Sequence, residues 1–148
     1  MKKQTGFTLV ELVVVILILG ILAGVAAPKL FNTSSEATDN GLRQTLAIVR
    51  DAIELYAAQN GGVLPACTGD GTGAGNFHDL LSPYLRGTFP TCPVGPAQDN
   101  LVTPSAAALP TGATTPTTGW LFSTNDGSFI CAFNGATASD AAVNYDEL

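Results

Sequence analysis

Uncharged and mostly apolar residues fill positions 12–27 without a break. Counted from Phe7, the run reaches roughly the 20 residues that a helix needs to cross a bilayer. A polar interval follows, Asn32-Thr33-Ser34-Ser35-Glu36, and then the pattern changes. Leu42, Leu46, Val49, Ile53 and Tyr56 recur at spacings of four, three, four and three, which marks one apolar face of a helix. Arg43, Arg50, Asp51 and Glu54 fall mostly on its other faces. Gly41 weakens this stretch by roughly 1 kcal/mol relative to Ala, and Asn60-Gly61-Gly62 ends it. The pattern predicts helix over most of residues 7–59, hydrophobic in residues 7–28 and amphipathic in residues 29–60. Pro28 removes one helical hydrogen bond and predicts a kink.

Residues 61–148 read as a small α+β head. Residues 67–75 are Gly-rich and predict a loop. Residues 76–85 predict a short second helix or turn, with Leu80, Leu81, Tyr84 and Leu85 on its apolar side. Residues 89–96 are Pro-rich and extended, and residues 101–119, rich in Thr, Ala, Pro and Ser, predict a variable surface loop. The strongest strand signal is a pair of runs, Trp120-Leu121-Phe122-Ser123 and residues 128–133, on either side of Asn125-Asp126-Gly127. Asp-Gly between two such runs is a hairpin turn. The expected architecture is a long N-terminal helix packed through its amphipathic half on a small antiparallel sheet.

Composition narrows the function. Of 148 residues, 46% are hydrophobic and only 12% charged, against about a quarter charged in an ordinary soluble domain. The net charge of −6 argues against nucleic-acid binding through a broad basic patch. There is a single His, His78, with no Ser or Cys partner at catalytic spacing, so it is read as a surface or capping residue. No His/Cys cluster has metal-ligand spacing, and no phosphate-binding fingerprint appears. Three cysteines, Cys67, Cys92 and Cys131, all follow the hydrophobic run. If that part is exported, a disulfide is permitted. Cys67 follows the long helix and Cys92 the short one, so a bond between them would pin the Gly-rich connection. Cys131 would then be a small buried residue on a strand.

Lys2 and Lys3 precede the apolar run, which keeps the N-terminus cytoplasmic and sends the rest outward. A plain anchor, a cleaved signal peptide ending at the small residues 25–27 and a buried core helix all compete as readings of this run. Glu11 separates them. A carboxylate at membrane depth is costly and implies a functional partner, which neither a signal peptide nor a simple anchor requires. Gly20 and Gly24 form a small-xxx-small pair that would let helices approach closely, although Gly is common in membrane helices anyway.

Gly6-Phe7-Thr8-Leu9-Val10-Glu11, a basic leader ending in Gly before a long apolar helix, resembles the processing motif of the type IV pilin and type II secretion pseudopilin superfamily. The resemblance covers about thirty residues. It implies that a prepilin peptidase cuts between Gly6 and Phe7, removing residues 1–6, and methylates the new amine of Phe7. The family's functional Glu maps onto Glu11 and its helix-bending proline onto Pro28. Glu11 would neutralise the Phe7 amine of its own chain or of a neighbouring subunit. The implied protein is a filament subunit, a homo-oligomer drawn from the inner membrane by an assembly platform and a motor ATPase. Its head lies outside the cytoplasm, before assembly and afterwards in the filament. The implied role is structural, not enzymatic. A minor pilin that binds a surface, DNA or a secreted substrate is the alternative. Loss of Lys2 and Lys3 leaves four Lys+Arg against 12 Asp+Glu, net −8, which disfavours nucleic acid. The short β region and Gly119-Trp120 lean toward a pseudopilin, the cysteines toward a pilin. Major pseudopilins often bind calcium, for which Asp126 and Asp140 are the candidates here; six to eight oxygens are wanted and no acidic run supplies them, so no cofactor is expected.

Overall fold

One helix, α1 (Leu9–Gln59), occupies 51 residues and continues through Pro28 and the polar interval. The computed structural model describes residues 7–107, 109 and 117–148, with the backbone alone at 30–32. Residues 1–6, the expected leader ending in Gly6, lie outside the described residues. After α1 come α2 (Phe77–Leu81), the 3-10 turn η1 (Ser82–Tyr84), strands β1 (Val102–Ser105), β2 (Trp120–Ser123) and β3 (Phe129–Cys131), and the 3-10 turn η2 (Tyr145–Glu147). Contacts divide the chain into two units, Met1–Ser35 and Glu36–Leu148. The amphipathic stretch of α1 from Glu36 onward therefore belongs with the globular unit.

In the first unit every described side chain from position 7 to 29 is exposed. The helix there is long and apolar enough to cross a membrane. Pro28 has no N–H to give, so the carbonyl of Gly24 loses its intrahelical partner. One turn later the Thr33 hydroxyl donates to the Lys29 carbonyl at 2.9 Å.

In the second unit the face read from the sequence is buried. Leu42, Leu46, Val49 and Ile53 are each at most 3% exposed, joined by Ala52, with Tyr56 packed at the margin. They share one cluster with Phe77, Leu81, Val102, Trp120, Phe122 and Phe129. Each such large side chain contributes roughly 1.5–3 kcal/mol on burial. α1 ends where Asn60-Gly61-Gly62 predicts. Gly61 and Gly62 take positive φ, and Gly62 N–H donates back to the Ala57 carbonyl at 2.8 Å, closing the last turn.

The sheet is mixed rather than antiparallel. β2 and β3 pair antiparallel, Trp120 opposite Cys131 and Phe122 opposite Phe129, as the hairpin signal predicts. β1, however, runs parallel to β2, Val102 opposite Trp120. A parallel neighbour requires a crossover of a dozen or more residues rather than a tight turn, and Ser105 and Trp120 are far enough apart in the sequence to allow one. The segment expected to be surface loop thus provides a strand, and Val102 is fully buried. Its Thr and Pro content hides the strand from composition. Pro104 is tolerated because β1 lies at the sheet edge.

Candidate functional site: the helix start and the groups that lock the head

α1 opens with a reciprocal cap. Thr8 N–H and the Thr8 hydroxyl both donate to Glu11 Oε2, at 3.0 and 2.9 Å, and Glu11 N–H donates to the Thr8 hydroxyl oxygen at 3.2 Å. This is a capping box, which satisfies N–H groups that otherwise lack partners at a helix start. It also places an anion at the positive end of the helix dipole. The sequence reading singled out Glu11 and missed Thr8, although Thr-x-x-Glu before an apolar run is the sequence mark of such a cap. Phe7, the residue after the expected cut, is 89% exposed. Glu11 is four residues further on, close to one helical turn away.

The cysteines are arranged differently from the pairing expected. Cys92 Sγ lies 3.3 Å from Cys131 Sγ, whereas Cys67 Sγ faces the Val102 carbonyl at 3.9 Å. All three are buried. The structure brings Cys92 to a strand residue rather than to the end of the long helix, because Cys92 is fastened to the sheet. Cys92 N–H donates to the Asp99 carbonyl at 2.8 Å, while Asp99 Oδ1 accepts from Gly119 N–H at 2.7 Å and Leu101 N–H at 3.1 Å.

His78 is half-buried on α2, whose N-cap is Asn76 instead. Its ring stacks on Phe89, centroids 4.1 Å apart, and its buried Nε2 has no hydrogen-bond partner among the described residues. Burial lowers its pKa against the opposing effects of the Asn100 backbone and Asp70. Among the described residues no nucleophile is hydrogen-bonded to it. The groove of about 330 Å³ beside it is lined by Ser82, Leu85, Gly87, Thr88, Phe89 and Asn100.

The two calcium candidates each hold a backbone N–H of their own turn. Asp126 Oδ1 accepts from Ser128 N–H at 3.0 Å, and Asp140 Oδ1 from Ala142 N–H at 2.9 Å. Each carboxylate serves its own turn. Among the described residues no three acidic, His or Cys side chains gather as a metal site would require.

Two polar anchors, one buried and one half-buried, were not foreseen. Asp39, on α1 and fully buried, accepts from the Tyr145 hydroxyl and from Ser139 N–H. Arg50 directs Nε and Nη2 to the Phe129 carbonyl at 3.0 and 2.8 Å, and Nη1 to the Leu148 carbonyl at 2.7 Å. Both tie the amphipathic part of α1 to distant chain. The one available signal was a charged side chain close to the apolar face, since Asp39 precedes Leu42 by three residues and Arg50 follows Leu46 by four.

Residues 1–27 match the family described as the prokaryotic N-terminal methylation motif. The chain is 42% identical over 73 residues to prepilin peptidase-dependent protein D of Escherichia coli, covering 49% of each chain. It is 38% identical over 60 residues to type II secretion system core protein G of Vibrio cholerae, covering 40% of this chain and 41% of the relative. It is 39% identical over 65 residues to the type IV narrow pilus major component PilA5 of Thermus thermophilus, covering 44% of this chain and 55% of the relative. These matches span about half the length of the curated relatives or less. No solved structure matches significantly. The likeness to pilins and pseudopilins read from residues 6–11 is thus found by comparison as well.

Proposed function

We propose that the chain is a structural subunit of a type IV pilus-like or type II secretion pseudopilus filament, held in the inner membrane by residues 7–28 until assembly. One observation carries this reading: the methylation motif of residues 1–27 runs directly into helix whose apolar side chains are uncovered in the described structure. An apolar helix of this length needs lipid or other helices around it, and a filament core of bundled helices supplies the second as the membrane supplies the first. Cleavage between Gly6 and Phe7 keeps that helix in the mature protein, whereas a signal peptidase cut after residue 27 would discard it.

Glu11 supports the same reading. After cleavage the chain begins with the amine of Phe7, one residue before Thr8. Thr8 holds Oε2 of Glu11 near the helix start. A carboxylate fixed there can meet the methylated amine of its own chain or of a neighbour, and the second option sets a stagger between subunits. The head beginning at Glu36 coats the outside. No catalytic role is assigned. Prepilin peptidase, an assembly platform and a motor ATPase are the partners this cycle requires.

Intact-mass measurement of chain extracted from membranes tests the proposal. The expected species starts at Phe7 with one added methyl group, and electron microscopy of the same cells shows filaments containing it. A species starting at Pro28 would overturn the retained anchor and with it the filament reading.

A further inference from the structure

We propose that Cys92 and Cys131 form a native disulfide that fastens the connection after α2 to the sheet, while Cys67 stays a thiol. The two sulfurs are 3.3 Å apart and buried, and their other contacts are weak. Cys92 Sγ faces the Val94 carbonyl at 3.5 Å, and Cys131 Sγ receives Phe133 N–H at 3.4 Å.

The backbones on both sides are held in place independently of the sulfurs. Cys131 pairs with Trp120 in the ladder. Cys92 is bonded to Asp99, and Gly119 packs so closely that a Cβ there would meet Cys92 Cβ at 2.7 Å. Bond formation therefore asks for side-chain adjustment and not for movement of either segment. Cys67 is excluded by place, since its sulfur faces the Val102 carbonyl at 3.9 Å.

The chemistry is thiol–disulfide exchange with an external disulfide, RSSR, of a protein or small-molecule oxidant. One thiolate of the pair attacks RSSR, forming a mixed disulfide and releasing RS⁻. The second thiolate then attacks the protein sulfur of that mixed disulfide and releases the other RS⁻. The two cysteines lose two electrons and two protons, and RSSR becomes two RSH. Because both sulfurs are buried in the folded head, exchange takes place while the head is still closing. Once formed, the bond is shielded from reductants.

This inference rests on the proposed placement of the head outside the cytoplasm, where such oxidants act. The test uses the full chain extracted from membranes in detergent, denatured with an alkylating agent present, then digested without reduction. The expected result is a linked Cys92–Cys131 peptide, one alkyl group per chain before reduction and three after. A parallel sample is reduced, refolded and exposed to oxidised glutathione, and is expected to regain the same link. A Cys67→Ser chain is expected to keep it. A link involving Cys67, or no link in the glutathione sample, overturns the pairing itself. A link in the glutathione sample with three free thiols in the membrane extract instead overturns the extracytoplasmic placement, and with it the native bond.

Discussion

Tyr145 donates its hydroxyl hydrogen bond to Asp39 at 2.5 Å, joining the end of the chain to α1 across 106 positions. The same carboxylate takes Ser139 N–H at 2.7 Å on its other oxygen. A buried carboxylate with two donors aimed at it is stabilised as an anion. Burial works against ionisation of Asp39, yet the donors from Tyr145 and Ser139 prevail and its pKa is lowered. Burial and the adjacent anion push Tyr145 up to about 12.

Both shifts make stability depend on pH. For Asp39 the folded value lies below the unfolded one of about 3.9. Its contribution is present above that value and is lost as pH falls through the lower folded one. For Tyr145 the contribution is present below about 10 and is lost as pH rises through about 12. Tyr145→Phe should lower stability at neutral pH by about 1.5–3 kcal/mol, the range for a hydrogen bond to a charged group. It should also remove this residue's part of the alkaline loss. Urea unfolding in detergent, followed by fluorescence of the single, fully buried Trp120, gives both quantities. An unchanged midpoint would show that the pair contributes nothing net.

Arg50 spends three donors on two carbonyls, those of Phe129 and Leu148. A lysine at this position has no planar fork and cannot reproduce the set. Arg50→Lys should cost about 1–3 kcal/mol, because a part-buried carbonyl is left without its partner. Amide hydrogen exchange should show the loss concentrated in β3 and η2. A uniform loss across the unit would contradict the local account.

Gly119 fits only because it lacks a side chain. A methyl group there would lie 2.5 Å from the Asp99 carbonyl oxygen and 2.7 Å from Cys92 Cβ. Backbone and strand would have to separate, a cost of about 1–3 kcal/mol for overpacking. Gly119→Ala should therefore unfold at a clearly lower urea concentration, while Gly73→Ala, where a Cβ meets nothing within 4 Å, should show only the strain of its positive φ. Equal midpoints for Gly119→Ala and the natural chain would mean that the loop yields at no cost.

Glu11→Ala and Thr8→Val separate two roles at the helix start. Each breaks the reciprocity of the capping box, Glu11→Ala by losing the contacts to Oε2 and Thr8→Val by losing those of the hydroxyl, but only the first removes the anion. If charge pairing with the Phe7 amine drives assembly, Glu11→Ala yields processed, membrane-inserted subunit with few or no filaments, whereas Thr8→Val retains most of them. An unpaired charge in a low-dielectric core is strongly unfavourable and would recur at every subunit. Immunoblotting for processed subunit and microscopy for filaments read the two outcomes. Equal loss in both variants would assign the role to capping instead.

The sequence by itself determined the elements whose signals are local. A run of apolar residues as long as a bilayer is thick needs no tertiary partner to be recognised, nor does Gly6-Phe7 followed by Glu11, an i, i+3, i+4 stripe from Leu42 to Tyr56, or Asp126-Gly127 between two β-rich runs. Each is a period or turn written within a few residues, and the helix, its buried face and the β2–β3 hairpin follow from it. Only the tertiary structure decided what depends on contacts between remote segments. β1 is a strand because β2 offers it a partner in parallel, not because Val102-Thr103-Pro104-Ser105 prefers extension. Cys92 meets Cys131 because the Asp99–Gly119 contact folds one loop onto the sheet, whereas order along the chain suggested Cys67. Arg50 reads as a charge on another face of the helix, and Asp39 is not singled out at all, until the segments at Tyr145 and Leu148 return to meet them. A hydrogen bond spanning 79 to 106 positions leaves no periodicity in the sequence, since either partner alone is only a polar residue near an apolar face.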